Sequence, residues 1–63
     1  MTKQEAIDWA GGLAKDLAER LGISESAVSQ WDEVPELQQY RLVILSNGKL
    51  MLSPRFFLGK TNA

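Results

Sequence analysis

Residues 13–31, LAKDLAERLGISESAVSQW, set a sharp corner between two short apolar stripes, and that corner restricts the fold more than any other stretch of the chain. Leu13, Leu17 and Leu21 recur at i, i+4 and i+8 with Ala14 and Ala18 beside them, the spacing of one face of a short helix. Gly22 breaks that helix and Ile23 points inward. Ser24 can cap a following helix by accepting from the N–H groups of its first turn. Ala27, Val28 and Trp31 then form an inner face, and Glu25, Ser26, Ser29 and Gln30 an outer one. At the corner itself the small Ala18 lets the two helices approach, Gly22 takes the turn and Val28 fills the angle between them.

Two short helices joined by a turn of three or four residues containing glycine are what a helix-turn-helix requires. A generic helical hairpin can share one of the three corner features; all three at these offsets make the motif specific. Upstream, Thr2-Lys3-Gln4-Glu5 fits the capping box, in which a threonine and a glutamate side chain each satisfy an orphan backbone N–H, so a first helix begins at about Lys3. Ala6, Ile7 and Ala10 share one face of it, and Gly11-Gly12 ends it. Trp9 lies off the centre of that stripe, as a packing residue.

The chain of 63 residues is one small domain at most, and a chain of this size buries only about 60% of the surface its unfolded form exposes, so oligomerisation is a natural supplement to its stability. It contains neither cysteine nor histidine, which removes disulfides, thiolate metal sites and the commonest general base and zinc ligand. The expectation is a non-enzyme without metal or cofactor; paired acids such as Asp32-Glu33 read as a solvated face. The longest uncharged apolar run, residues 42–45, is far short of the roughly 20 needed to cross a bilayer, and the N-terminus lacks a signal-peptide pattern. A soluble, intracellular protein is expected, with no membrane partner and no small-molecule ligand. A composition 44% hydrophobic and 24% charged places it among folded domains.

After the corner, residues 32–35 close the helix, because a residue that precedes proline is pushed away from helical geometry. The next stretch supports two readings. Pro35-Glu36 makes a good first turn for a helix whose face is Leu37, Tyr40, Arg41, Ile44 and Leu45, ending at Asn47-Gly48. Alternatively, residues 42–45 and 49–52 are two short strands around a hairpin turn with an Asn-Gly centre, with or without a short helix over 35–40. A helix running from Lys49 into Phe57 would carry Pro54 in its interior at a cost of roughly 3 kcal/mol, whereas a strand that ends at Ser53 tolerates it, so the hairpin is the expected form. The fold class expected is α+β: three helices, then a β-hairpin, with an all-α form whose C-terminal part is helical as the alternative. Both hairpin faces are apolar, so one is left for a partner, which a second chain in a symmetric dimer can supply.

With its alternating leucines before it and Asp-Glu-Val-Pro-Glu after it, the segment LGISESAVSQW resembles the Cro repressors of lambdoid bacteriophages and related prophages. The similarity is strongest over residues 5–36, where Ala18, Gly22, Ile23, Val28 and Trp31 match the structural positions of the motif, and it continues more weakly through Tyr40-Arg41-Leu42 and Asn47-Gly48-Lys49-Leu50. The resemblance implies a small dimeric repressor in the cytoplasm of a bacterial host, which binds a short pseudo-palindromic operator. Members share the helical N-terminal part and differ in the C-terminal part, a hairpin in some and helices in others. The domain division that follows is a helical subdomain over 1–34, a dimerisation element over 35–58 and a tail over 59–63.

Carried over by position, the helix at about residues 25–32 enters the major groove and Ser26, Ser29, Gln30 and Glu25 are the base readers. Gln30 can pair with adenine in two hydrogen bonds and Glu25 can accept from the cytosine amino group. Lys15, Ser24 and Arg41 are the expected phosphate contacts, with backbone N–H groups at helix N-termini. The dimer contacts expected are Ile44, Leu50, Leu52, Phe56 and Phe57, the two phenylalanines forming an arm. The charge distribution sets a competing reading. Residues 1–36 carry three cations against eight acids, a net −5, while residues 37–63 carry four cations and no acid. An acidic helical half also suits a helix-turn-helix module that binds protein and never DNA.

Overall fold

A computed structural model of the chain describes residues 1–54 and residue 56. Its helices are α1 (Lys3–Ala10), α2 (Ala14–Leu21), α3 (Glu25–Ser29) and α4 (Glu36–Leu45). The Thr2 capping box is present in full: the Thr2 hydroxyl accepts from the Glu5 N–H at 3.1 Å, and Glu5 Oε1 accepts from the Thr2 N–H at 2.7 Å. One expected stripe residue departs from its helix. Leu13 is the N-cap of α2 in extended geometry and is 60% exposed, so the buried face of α2 is Leu17, Ala18 and Leu21 alone.

The corner is built as its residues require. Gly22 adopts the left-handed conformation (φ 72°, ψ 30°), and the N–H groups of Gly22 and Ile23 donate to Glu19 O and Ala18 O at 3.3 and 3.0 Å, the paired bonds that close a helix on a left-handed residue. α2 packs on α3 and on α1, with a lighter contact to α4. Leu17, Val28, Val34 and Leu42 are fully buried at the centre, and Ile7, Trp9, Ile23 and Trp31 pack around them.

The hairpin is not formed. Residues 36–45 are a continuous helix, and no strand occurs among the described residues, which makes the described part all-α, as the alternative reading held. The cause lies in Asn47-Gly48. Asn47 sits at φ 59° and Gly48 at φ 86°, and their N–H groups donate to Ile44 O at 3.1 Å and Val43 O at 3.0 Å, which closes the end of α4 as Gly22 and Ile23 close α2. A type I′ hairpin turn and this helix cap both demand positive φ from the same residue types, so the dipeptide alone does not separate them. Pro54 had no bearing on residues 36–45, because the helix stops before it. Pro54 itself opens a further helical turn, with the Phe56 N–H donating to Ser53 O at 2.9 Å. That is a position where a proline, lacking an N–H, is at home.

The face of α4 also differs from expectation. Gln39 and Leu42 point inward, fully buried, while Leu37 and Ile44 are 69% and 76% exposed. Gln39 is a hub. Its Nε2 donates to Val34 O at 2.9 Å and Ser53 Oγ at 3.0 Å, and its Oε1 accepts from the Ser53 N–H at 2.8 Å. The Met1 amino group donates to Gln39 Oε1 at 3.5 Å and to Met51 O, which ties the N-terminal residue to α4 and to the segment that follows it. Among the described residues no buried side-chain polar atom lacks a partner.

Candidate nucleic-acid interface

α3 is five residues long, far below the 12–15 at which an isolated helix becomes even marginal in water, so its position is set by what grips it. The Ser24 hydroxyl accepts from the Ala27 N–H at 3.1 Å and fixes the N-terminal end. Val28, with no exposed surface, pins the middle against α2. The helix ends earlier than the expected residue 32: Gln30 is its C-cap, and the Trp31 N–H donates to Val28 O at 3.1 Å. Trp31 is therefore beyond the helix, half-buried against the core.

This grip leaves one polar face outward. Glu25, Ser26, Ser29 and Gln30 are all exposed, and among the described residues no side-chain hydrogen bond occupies the hydroxyls of the two serines or the amide of Gln30. Ser24 is exposed as well; its oxygen is engaged in capping while its O–H remains available as a donor. Lys15, in the first turn of α2, is exposed.

Three further cations lie at helix C-termini, a role the sequence reading did not assign. Lys3 Nζ donates to Ser29 O at 3.4 Å and Trp31 O at 3.1 Å, at the end of α3. Arg20 Nε donates to Ala10 O at 3.3 Å, at the end of α1, with its guanidinium carbon 4.8 Å from the centre of the Trp9 ring. Arg41, expected at a phosphate, donates from one terminal nitrogen to Leu21 O at 2.8 Å, at the end of α2, and from the other to Gln38 Oε1 at 3.1 Å. Each cation meets the partial negative charge of a helix end that belongs to another element. The donors of Arg41 beyond these two bonds stay open on an exposed side chain. A pattern of this kind has no local signal in a sequence, since Lys3 and its partner carbonyls are 26 and 28 residues apart.

The expected dimer contacts are dispersed. Ile44 is exposed on α4, Leu52 and Phe56 are half-buried, and Leu50, 7% exposed, belongs to the core of its own chain. Phe57, Leu58 and the tail over 59–63 lie outside the described residues, as do the cations Arg55 and Lys60. The described residues contain no cluster of acids able to hold a metal ion, and no helix among them is long and apolar enough to cross a membrane.

A short capped helix, set at a tight glycine corner with an uncommitted polar face, defines a helix-turn-helix protein. The comparisons narrow the class. The family model described as "DNA-binding transcriptional regulator Cro" matches residues 2–61. The regulatory protein Cro of Salmonella phage P22 is 49% identical over 51 residues, which is 79% of this chain and 82% of that protein. No solved structure matches the chain. The chain belongs to the Cro family and is a DNA-binding transcriptional regulator of the Cro type.

Proposed function

We propose that this regulator represses transcription by binding a short pseudo-palindromic operator as a homodimer, with α3 of each protomer in the major groove of one half-site. The observation that carries this reading is the outward polar face of α3, Glu25, Ser26, Ser29 and Gln30, on a helix held rigid by Ser24 and Val28. Gln30 is assigned to adenine and Glu25 to a cytosine amino group, with the serines adapting to either. Lys15, the Ser24 O–H and the open donors of Arg41 are assigned to phosphates, where they set the register without reading sequence. Glu25 repels phosphate wherever no cytosine faces it, which lowers binding to unrelated duplex and sharpens discrimination.

One such helix covers only a few base pairs, so two protomers must be held about one DNA turn apart. The element over 35–58 is assigned to this task. Leu37 and Ile44, seven residues apart on α4, expose apolar side chains on one side of the helix, with Tyr40 and Arg41 in the turn between them, and Leu52 and Phe56 follow in the chain. The site of action is the cytoplasm of a bacterial host, and the reading needs no cofactor or small molecule. Selection of bound duplexes from a random pool at low salt tests it. The expected result is an inverted repeat with half-sites about one turn apart; recovery of no preferred sequence by the folded protein would contradict it and turn attention to protein partners.

A further inference from the structure

We propose that Lys3 is a positioning residue for operator reading, one that holds the C-terminal end of α3 through the carbonyls of Ser29 and Trp31 and neutralises no phosphate. The inference rests on the reading of α3 as the base-reading helix. The three grips on α3 are unequal in kind. Ser24 and Val28 act from within the helix-turn-helix itself, whereas Lys3 reaches across from the first turn of α1 and is the only one of the three that bonds the carbonyls at the C-terminal end. Two of the four expected base readers, Ser29 and Gln30, lie at that end.

The chemistry favours an ammonium there. A helix C-terminus leaves carbonyls without intrahelical donors and carries partial negative charge, and a cation at such an end is stabilised while two of its three N–H donors are used. Lys3 is half-buried, so a phosphate would have to draw it off both carbonyls and reopen the end of α3. Lys15, by contrast, is exposed in the first turn of α2. The two lysines of the helical subdomain thus divide the work: Lys15 supplies charge to the DNA and Lys3 supplies geometry to the reader.

The division is testable because counterion release separates the two roles: each phosphate neutralised contributes about −0.9 to the slope of log K against log salt. With the operator recovered by selection, affinities for operator and for unrelated duplex are measured over a series of salt concentrations. Lys3→Met is expected to lose about tenfold in operator affinity, to hold its affinity for unrelated duplex within about twofold and to keep the wild-type slope, the pattern of lost base discrimination without lost phosphate contact. Lys15→Ala is expected to lose affinity for both duplexes and about 0.9 of slope for each contact removed. Lys3→Arg, which can still donate to both carbonyls, is expected to recover most of the operator affinity.

A fall in slope for Lys3→Met like that for Lys15→Ala, or operator affinity unchanged by the substitution, would overturn the proposal. A wild-type protein that selects no operator would overturn the base-reading assignment itself, a different and separately visible result. If Lys3→Met does not fold, NMR of the wild-type complex decides: the Lys3 ammonium keeps its free-state shift if Lys3 stays on α3, and it moves and gains contacts to a DNA phosphate if it transfers.

Discussion

At the scale of single residues, the molecule divides into side chains that are committed inward and side chains left available. Gln39 is the clearest of the first kind. It is fully buried, and one amide bonds Val34, Ser53 and the Met1 amino group. Replacing it with leucine keeps the volume and strands the buried Val34 carbonyl and the half-buried Ser53 N–H. Each costs about 1–3 kcal/mol, and for a domain of this size a loss on the order of 2–3 kcal/mol lowers the melting temperature by roughly 10–20 °C. Calorimetry of Gln39→Leu checks this, and an unchanged melting temperature would mean that the hub contributes nothing. Gln30 is of the second kind. Gln30→Ala is expected to leave stability within about 0.5 kcal/mol, as for exposed substitutions generally, and to cost about 1–3 kcal/mol of discrimination at one base pair per half-site. Competition binding against operators changed at single positions reads that loss, and a uniform loss at every position would contradict the assignment.

At the scale of elements, α4 ends at Asn47 and Gly48, with Asn47 paying the cost of positive φ that glycine avoids. Asn47→Gly is expected to be as stable as the wild type or up to about 1 kcal/mol more stable, and Asn47→Val at least about 1 kcal/mol less stable, with residues 36–45 helical by backbone chemical shifts in the wild type. Extended shifts there would restore the hairpin. The N-terminal elements were legible in the residues because their signals are local: the Thr2 capping box, Gly22 at the corner and Ser24 before the third helix each satisfy their own neighbourhood. The C-terminal element was not, because Asn-Gly serves a hairpin and a helix cap equally. The helical face was misplaced by a residue or two for a related reason. Gln39 reads as a surface residue unless its distant partners Ser53 and Met1 are known, whereas Leu37 and Ile44, the latter an expected dimer contact, face outward. Likewise Val34, isolated between Glu33 and Pro35, carries no periodic signal and yet is fully buried. The outward polar face of α3 was legible because it is what the corner leaves over; the cation caps were not, because each joins two elements.

At the scale of the whole molecule, the shortage of positive charge on the helical half has a structural account. Lys3 and Arg20 are engaged at the ends of α3 and α1, Arg41 is partly engaged at the end of α2, and Lys15 is free to meet DNA. Under the proposed dimer, a regulator built this way would gain less from phosphate and depend more on two α3 helices held together. Ile44→Asp, a substitution at a side chain 76% exposed, is therefore expected to weaken self-association at least tenfold by sedimentation and to weaken operator binding in step, while the monomer keeps its helical content. Self-association unchanged by Ile44→Asp would move the dimer contact away from α4. The central claim is that the outer face of α3 is the surface that meets DNA, and NMR titration of the isotope-labelled wild-type chain with its selected operator tests it most directly. The account predicts the largest shift changes at Ser24, Glu25, Ser26, Ser29 and Gln30, with Lys15 beside them and the outer positions Gln4 and Asp8 of α1 unmoved. Changes concentrated on α1 with α3 silent would contradict it.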